Sequence, residues 1–118
     1  WSFAMPSDYN GGTVTAVFYW LASGTSTNSV VWGCAGRCFG DAETLDQAFG
    51  SEVTVSDAHT ATADQVLISA ATAAITLGGT PAASEHCQIK VSRDPANGSD
   101  TLAASALLLE VRITYTRA

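Results

Sequence analysis

Three cysteines and two histidines are the residues of this 118-residue chain best suited to chemistry. Cys34, Cys38 and Cys87 join His86 in a CxxxC plus HC set, and thiolates with imidazole are zinc ligands. The spacing argues against a metal. On one strand Cys34 and Cys38 would lie about 13 Å apart, and His86 and Cys87, as neighbours, would point to opposite faces. The expectation is buried small thiols, with one disulfide, Cys87 to Cys34 or to Cys38 across two sheets, as the alternative. An odd count leaves at least one thiol free, so no disulfide framework is expected.

His59 and His86 are the bases of suitable pKa for activating a nucleophile. Neither sits in a motif: GxSxG, HExxH and a glycine-rich loop between strand and helix are missing. No enzymatic activity, metal or cofactor is expected. Asp41, Glu43 and Asp46, and the 94–100 loop, offer oxygens to calcium without the ordered spacing of an EF-hand. They read instead as a capped helical turn and a solvated turn with Asn97-Gly98 at its tip. Asn97-Gly98-Ser99 also matches an N-glycosylation acceptor, which has meaning only in eukaryotic secretion.

Aromatic faces stack on sugar rings, so Trp1, Trp20, Trp32, Tyr9, Tyr19 and Tyr115 could line a groove. Strand alternation places Trp20, Trp32 and Tyr115 in the core and leaves Trp1 and Tyr9 as possible exposed ligand contacts.

The elements that must position these residues are strands. Seven candidates run 1–5, 13–23, 29–39, 52–58, 65–76, 86–93 and 106–116, separated by glycine, proline, asparagine and serine clusters; 65–76 reads as one strand or as two broken near Ala71. Only 41–49 looks helical, with Asp41 as N-cap and Leu45 and Phe49 at i and i+4. The expected fold is a single all-β domain over 1–118, an antiparallel, jelly-roll-like β-sandwich of seven or eight strands with one short helical turn near 41–49.

Alternation assigns Val14, Ala16, Phe18 and Trp20 to one core stripe and Leu107, Leu109, Val111, Ile113 and Tyr115 to another. The backs of two strands are apolar as well, through Val17, Tyr19 and Leu21 and through Val31, Ala35 and Phe39. Large apolar patches are uncommon on monomers, so something must cover these faces. A neighbouring subunit is favoured over the chain's own 41–49 lid or N-terminal segment, and Val17, Tyr19, Leu21, Val31 and Phe39 form the expected oligomer interface.

The charge balance bounds the partners. Eleven acidic residues against Arg37, Lys90, Arg93, Arg112 and Arg117 give a net charge of −6, with no basic stripe for nucleic acid. No apolar run approaches membrane-spanning length. Trp1 stands where a start methionine would, which points to a processed terminus or an excerpt.

Several short motifs carry a resemblance. They are Phe3, Met5, Pro6, Tyr9, Gly11 and Gly12 at the start; Phe18-Tyr19-Trp20; Val30-Val31-Trp32-Gly33; the 41–49 segment; Val91-Ser92-Arg93-Asp94 with Asp100-Thr101-Leu102; and LEVRITY from Leu109 to Tyr115. Together they span nearly the whole chain, which resembles the small β-sandwich structural proteins of tailed-bacteriophage virions. The resemblance implies a non-enzymatic subunit that decorates or stabilises a capsid or forms part of a fibre. It implies a homo-oligomer, a trimer being favoured, in contact with other virion proteins such as the major capsid protein and assembled in the bacterial cytoplasm. It carries over no catalytic residue and no role for the cysteines. The alternative from another class is a carbohydrate- or receptor-binding module of a tail or head fibre.

Overall fold

Runs of β-branched and aromatic residues form strands because such side chains pack well on a pleated surface. The computed structural model describes residues 1–118, and seven strands are its only regular elements: β1 (Ser2–Ala4), β2 (Thr15–Ala22), β3 (Ser29–Phe39), β4 (Val53–Ala58), β5 (Leu67–Ile68), β6 (His86–Arg93) and β7 (Ala106–Thr114). They make two antiparallel sheets, ordered β1-β6-β3-β4 and β5-β2-β7. Most successive strands cross from one sheet to the other, and only β3 and β4 are consecutive neighbours. This is an all-β sandwich. No helix in it is long and apolar enough to cross a membrane.

The core lies between the sheets. β2 contributes Ala16, Phe18 and Trp20, with Val14 just before it, and β3 contributes Val30, Trp32, Cys34 and Cys38. The Trp32 ring stacks on Phe18 at 5.9 Å and meets the edge of Trp20 at 6.3 Å. Trp20 Nε1 donates to Asp57 Oδ2 at 2.7 Å, so the indole buries its apolar body while its N–H keeps a partner.

The 41–49 segment corrects the expectation of a helix. Ala42 takes φ 65°, in the left-handed region, which interrupts any right-handed helical path. The backbone there is committed elsewhere. Gly40 N–H bonds the Glu43 carboxylate, the Gln47 carbonyl accepts from Arg37 Nη1, and Gly50 N–H bonds the Gly36 carbonyl. Glycine is needed at the crossing of these chains, since a Cβ on Gly78 would stand 2.0 Å from the Ala48 carbonyl oxygen.

Within 65–76 only Leu67–Ile68 is strand, followed by an isolated bridge between Val14 and Ile75. Between them Ser69 and Thr72 bond the backbone of Phe18 and Ala16 through side chain and main chain together.

The last core stripe also needs correction. The β2–β7 register shifts between Tyr19 and Trp20: Tyr19 opposes Glu110, but Trp20 opposes Leu108. Leu109 is the extra residue of a bulge, and one inserted residue reverses the phase of everything before it. The core side of β7 is therefore Ala106, Leu108, Val111 and Ile113, continued by Tyr115, while Leu107 and Leu109 face solvent.

Candidate functional site

The residues expected to share one interface lie on two different sheets. Val31 and Phe39 sit on the back of the four-stranded sheet, and the chain covers them itself: both are buried. The Phe49 ring lies under Arg37, with the guanidinium carbon 4.3 Å from its centre, and Lys90 approaches the same ring at 5.1 Å. Because Lys90 is paired with Ala35, Phe49 caps the middle of this face. Glu52 lies over Gly33, where a Cβ would meet its carboxyl carbon at 2.7 Å, and accepts from Ser92 Oγ at 3.1 Å. Phe39 stacks on His86 at 6.0 Å. At the upper end of β3 the 94–102 loop supplies the missing pairing. Asp94 N–H bonds the Val31 carbonyl, and Asp100 Oδ2 accepts from both Val31 N–H at 3.0 Å and Arg93 Nε at 2.9 Å.

That loop is fixed by charge. Arg93 and Asp100 make a two-pronged ion pair whose closest approach is 2.7 Å, with the Asp100 side chain almost wholly buried. The Arg93 guanidinium, through its hydrogen bonds and its charge, and the Val31 N–H hold the Asp100 carboxyl below the usual aspartate range against its burial. With its carboxylate occupied by Arg93, Asp100 is a structural pin rather than a cation ligand.

The back of the three-stranded sheet is different. Val17 is buried there, but Tyr19 and Leu21 are half-buried, and their cross-strand partners Ile68 and Leu107 are 58 % and 57 % exposed. Val66 and Leu109 add further exposed apolar surface nearby. Glu110 and Arg112 stand on the same face opposite Tyr19 and Val17, and Arg112 Nη1 donates to the Tyr19 hydroxyl at 3.3 Å. Ile68 and Leu107, each more than half exposed, leave the flanks of this row open to solvent. It can bind an apolar surface or a second sheet, and it is the strongest candidate contact site of the molecule.

Tyr9 is not an exposed aromatic. It is 4 % exposed, packs edge-on against Tyr115 at 6.3 Å and donates its hydroxyl to the Gly12 carbonyl. Burial pushes its phenol pKa up, with the Glu85 charge adding to the rise. The cause is a contact between chain ends. Asp8 accepts from Tyr115 Oη at 2.8 Å and pairs with Arg117 at 3.0 Å, while Asn10 N–H bonds the Thr116 carbonyl. Trp1 does lie exposed, at 64 %, on the rim of an open groove of about 540 Å³ whose other walls include Gln88, Ile89, Lys90, Val91 and Leu108. Its backbone pairs with Ile89 in both directions.

Cys38 and Cys87 form a disulfide, which corrects the expectation of three free thiols. It does not bridge the sheets. The two residues stand directly opposite on β3 and β6, 4.1 Å apart between Cα atoms, at the close spacing of a pair that exchanges no backbone hydrogen bonds. Cys34 is a buried free thiol, its pKa raised to about 11 by burial and by Glu52.

The two histidines are far from each other's surroundings. His59 is buried against Trp20 and donates from Nδ1 to the Ser26 carbonyl at 2.7 Å, leaving Nε2 without a partner. His86 lines a second open groove, of about 550 Å³, with Asp41, Ser84 and Glu85. Neither imidazole hydrogen-bonds a carboxylate. Comparison of the chain with models of known protein families, with characterised proteins and with solved structures found no match.

Proposed function

We propose that this chain is a non-enzymatic structural subunit that works through contacts, as a decoration, stabilising or fibre component of a tailed-phage virion. The observation that carries the contact reading is the uncovered apolar row Tyr19, Leu21, Ile68 and Leu107. On a sealed sandwich these positions would be polar, as the outward side of an antiparallel sheet normally is. Exposing them in water is unfavourable, and burying them against a partner recovers about 25 cal/mol for each Å² covered. The phage setting rests on the motif resemblance. It is compatible with the Cys38–Cys87 pair, which would close once a particle leaves the reducing cytoplasm.

The test is mass spectrometry of gradient-purified particles produced from the genome that encodes this chain. The expected result is a fixed copy number per particle, in a whole-number ratio to the shell subunits. Absence from particles, with the protein abundant in the lysate, overturns the virion reading.

One observation favours a second reading, a carbohydrate-binding module. Trp1 presents an exposed ring beside the polar groups of Gln88 and Lys90 on the rim of an open groove. An aromatic face with flanking hydrogen-bonding groups suits a sugar ring. Glycan-array binding that disappears in Trp1→Ala supports it; an array without reproducible signal removes it.

A further inference from the structure

The free edge of β7 names the contact, and this inference rests on the reading above that the chain acts through subunit contacts. β7 is the outermost strand of its sheet. No backbone group of Ala106–Thr114 bonds anything beyond β2. The consequence is visible in the packing: Val111 and Ile113, which face the core, are only half-buried, while Phe18 and Ala16 opposite them are fully buried.

The direction of the unpaired groups follows from β2. Ala16 and Phe18 use their N–H and C=O groups on Thr72 and Ser69, on the β5 side. Backbone groups alternate along a strand, so Val17 and Tyr19 turn theirs toward β7, where they oppose Arg112 and Glu110. Glu110 and Arg112 are therefore bonded inward, and Val111 and Ile113 aim their N–H and C=O groups at the open edge.

Glu110 and Arg112 are exposed, lie on the same side of the sheet and form no ion pair within the chain, whose two salt bridges are Arg93–Asp100 and Arg117–Asp8. An edge strand with one negative and one positive charge placed symmetrically about a residue with outward backbone groups is complementary to itself.

We infer that a second copy of this chain pairs its β7 antiparallel to this one about a two-fold axis at Val111, giving a continuous six-stranded sheet across two subunits. In that register Val111 exchanges both hydrogen bonds with the partner's Val111. Glu110 faces the partner's Arg112, and Arg112 the partner's Glu110, at non-hydrogen-bonded positions where Cα atoms approach to about 4.5 Å and side chains lie closest. The regular pairing ends at the Leu109 bulge on either side, because Leu109 faces solvent whereas the partner's Ile113 faces the core. Other registers fail: an axis at Glu110 or Arg112 sets like charges opposite each other on strands whose groups there already bond β2, and an axis at Ile113 leaves both charges unpaired. An isologous contact of this kind closes after two copies, where the phage resemblance implies three. It leaves Ile68 and Leu107 open to a further virion partner.

Sedimentation velocity of the full chain across the micromolar range tests this with four proteins. The wild type is expected to dimerise. E110R and R112E, both at exposed positions, each place like charges opposite one another at two points and are expected to weaken the dimer by about tenfold or more. An equal mixture of E110R and R112E is expected to restore it, because one copy then carries two positive charges and the other two negative. The doubly substituted E110R/R112E chain is expected to dimerise by itself. A wild-type monomer overturns the pairing and assigns Glu110 and Arg112 to guarding the edge against association. A dimer that both single variants leave intact, or a mixture that stays monomeric, overturns the register. The two readings fail separately: a dimer absent from particles sinks the virion role alone, and a monomer incorporated into particles sinks the pairing alone.

Discussion

The two sheets show the same sequence signature, strands apolar on both faces, and the molecule resolves it in opposite ways. Behind β3 the chain folds back on itself. Phe49 under Arg37 and Lys90, Glu52 over Gly33, and the Asp100 pin at Val31 seal the four-stranded sheet with side chains and loops of the same molecule. Behind β2 only Val17 is buried, and Tyr19, Leu21, Ile68 and Leu107 remain partly or largely at the surface with β7 as an open edge. Two-sided apolarity thus does not say whether the chain's own loops cover the face. A loop with charged or aromatic residues at the right distance turns a would-be interface into interior.

Changes on the sealed side should therefore cost stability, and changes on the open side association. The largest effect is expected from Asp100→Ala, which leaves the Arg93 guanidinium and the Val31 N–H without their partner. Breaking a buried ion pair of this kind costs about 3–5 kcal/mol, read as a lower urea midpoint. The same group sets an acid limb. Its carboxyl titrates below the ordinary value of 3.8 in the folded chain, so its contribution is complete above that pH and is lost as pH falls through the lowered folded value. The gap in stability between wild type and D100N should accordingly narrow in acid; a constant gap would place the effect outside ionisation.

Next comes Gly78→Ala, whose added carbon is 2.0 Å from a backbone oxygen that cannot rotate away. A loss of about 1–3 kcal/mol is expected by thermal or urea unfolding, and no loss would mean the 48–50 and 76–78 segments are not held together.

On the open side, Leu107→Ser should change unfolding stability by less than about 0.5 kcal/mol and leave β7 dimerisation intact by sedimentation velocity, while lowering the copy number found in purified particles if this row is a contact. A stability loss comparable to Gly78→Ala would show that this face is interior.

The smallest effect is kinetic. Cys34, buried and with its pKa at about 11, should resist iodoacetamide at neutral pH in the folded chain and react as a single thiol after unfolding without reductant. Rapid labelling of the native chain would break the contrast from the sealed side.

Local patterns carried much of this fold. The bounds of β3 and β6 are those the turn clusters mark, and the Val14, Ala16, Phe18, Trp20 stripe is the core face that alternation requires. What stayed illegible depends on register between distant strands. Leu107 and Leu109 alternate with the core residues after them, and only the pairing to β2 shows that a bulge reverses their side. Cys38 and Cys87 become a pair only once β3 and β6 are aligned, and their separation of 49 residues gives no hint of it. Tyr9 sits in a glycine-rich turn, the ordinary place for an exposed ring, and is buried by chain-terminal residues more than a hundred positions away. The 41–49 segment has helical spacing, but its Gln47 carbonyl is taken by Arg37 of β3 and its Glu43 carboxylate by the Gly40 N–H just beyond that strand. For the candidate site, Tyr19 and Leu21 were legible as a covered or covering row. The division of that interface between two sheets was not, because periodicity assigns a face without identifying the sheet it belongs to.

The crosswise staple between β3 and β6 also bears on how the folded chain would carry load. A chain gripped at both ends and pulled can unravel only outside Cys38 and Cys87. The loop they close, with a sequence separation of 49 and so roughly 170 Å of extended chain at about 3.5 Å per residue, stays locked while the bond is oxidised. Under tension applied at the two chain ends, oxidation would therefore set a hard stop on extension, and reduction would release it.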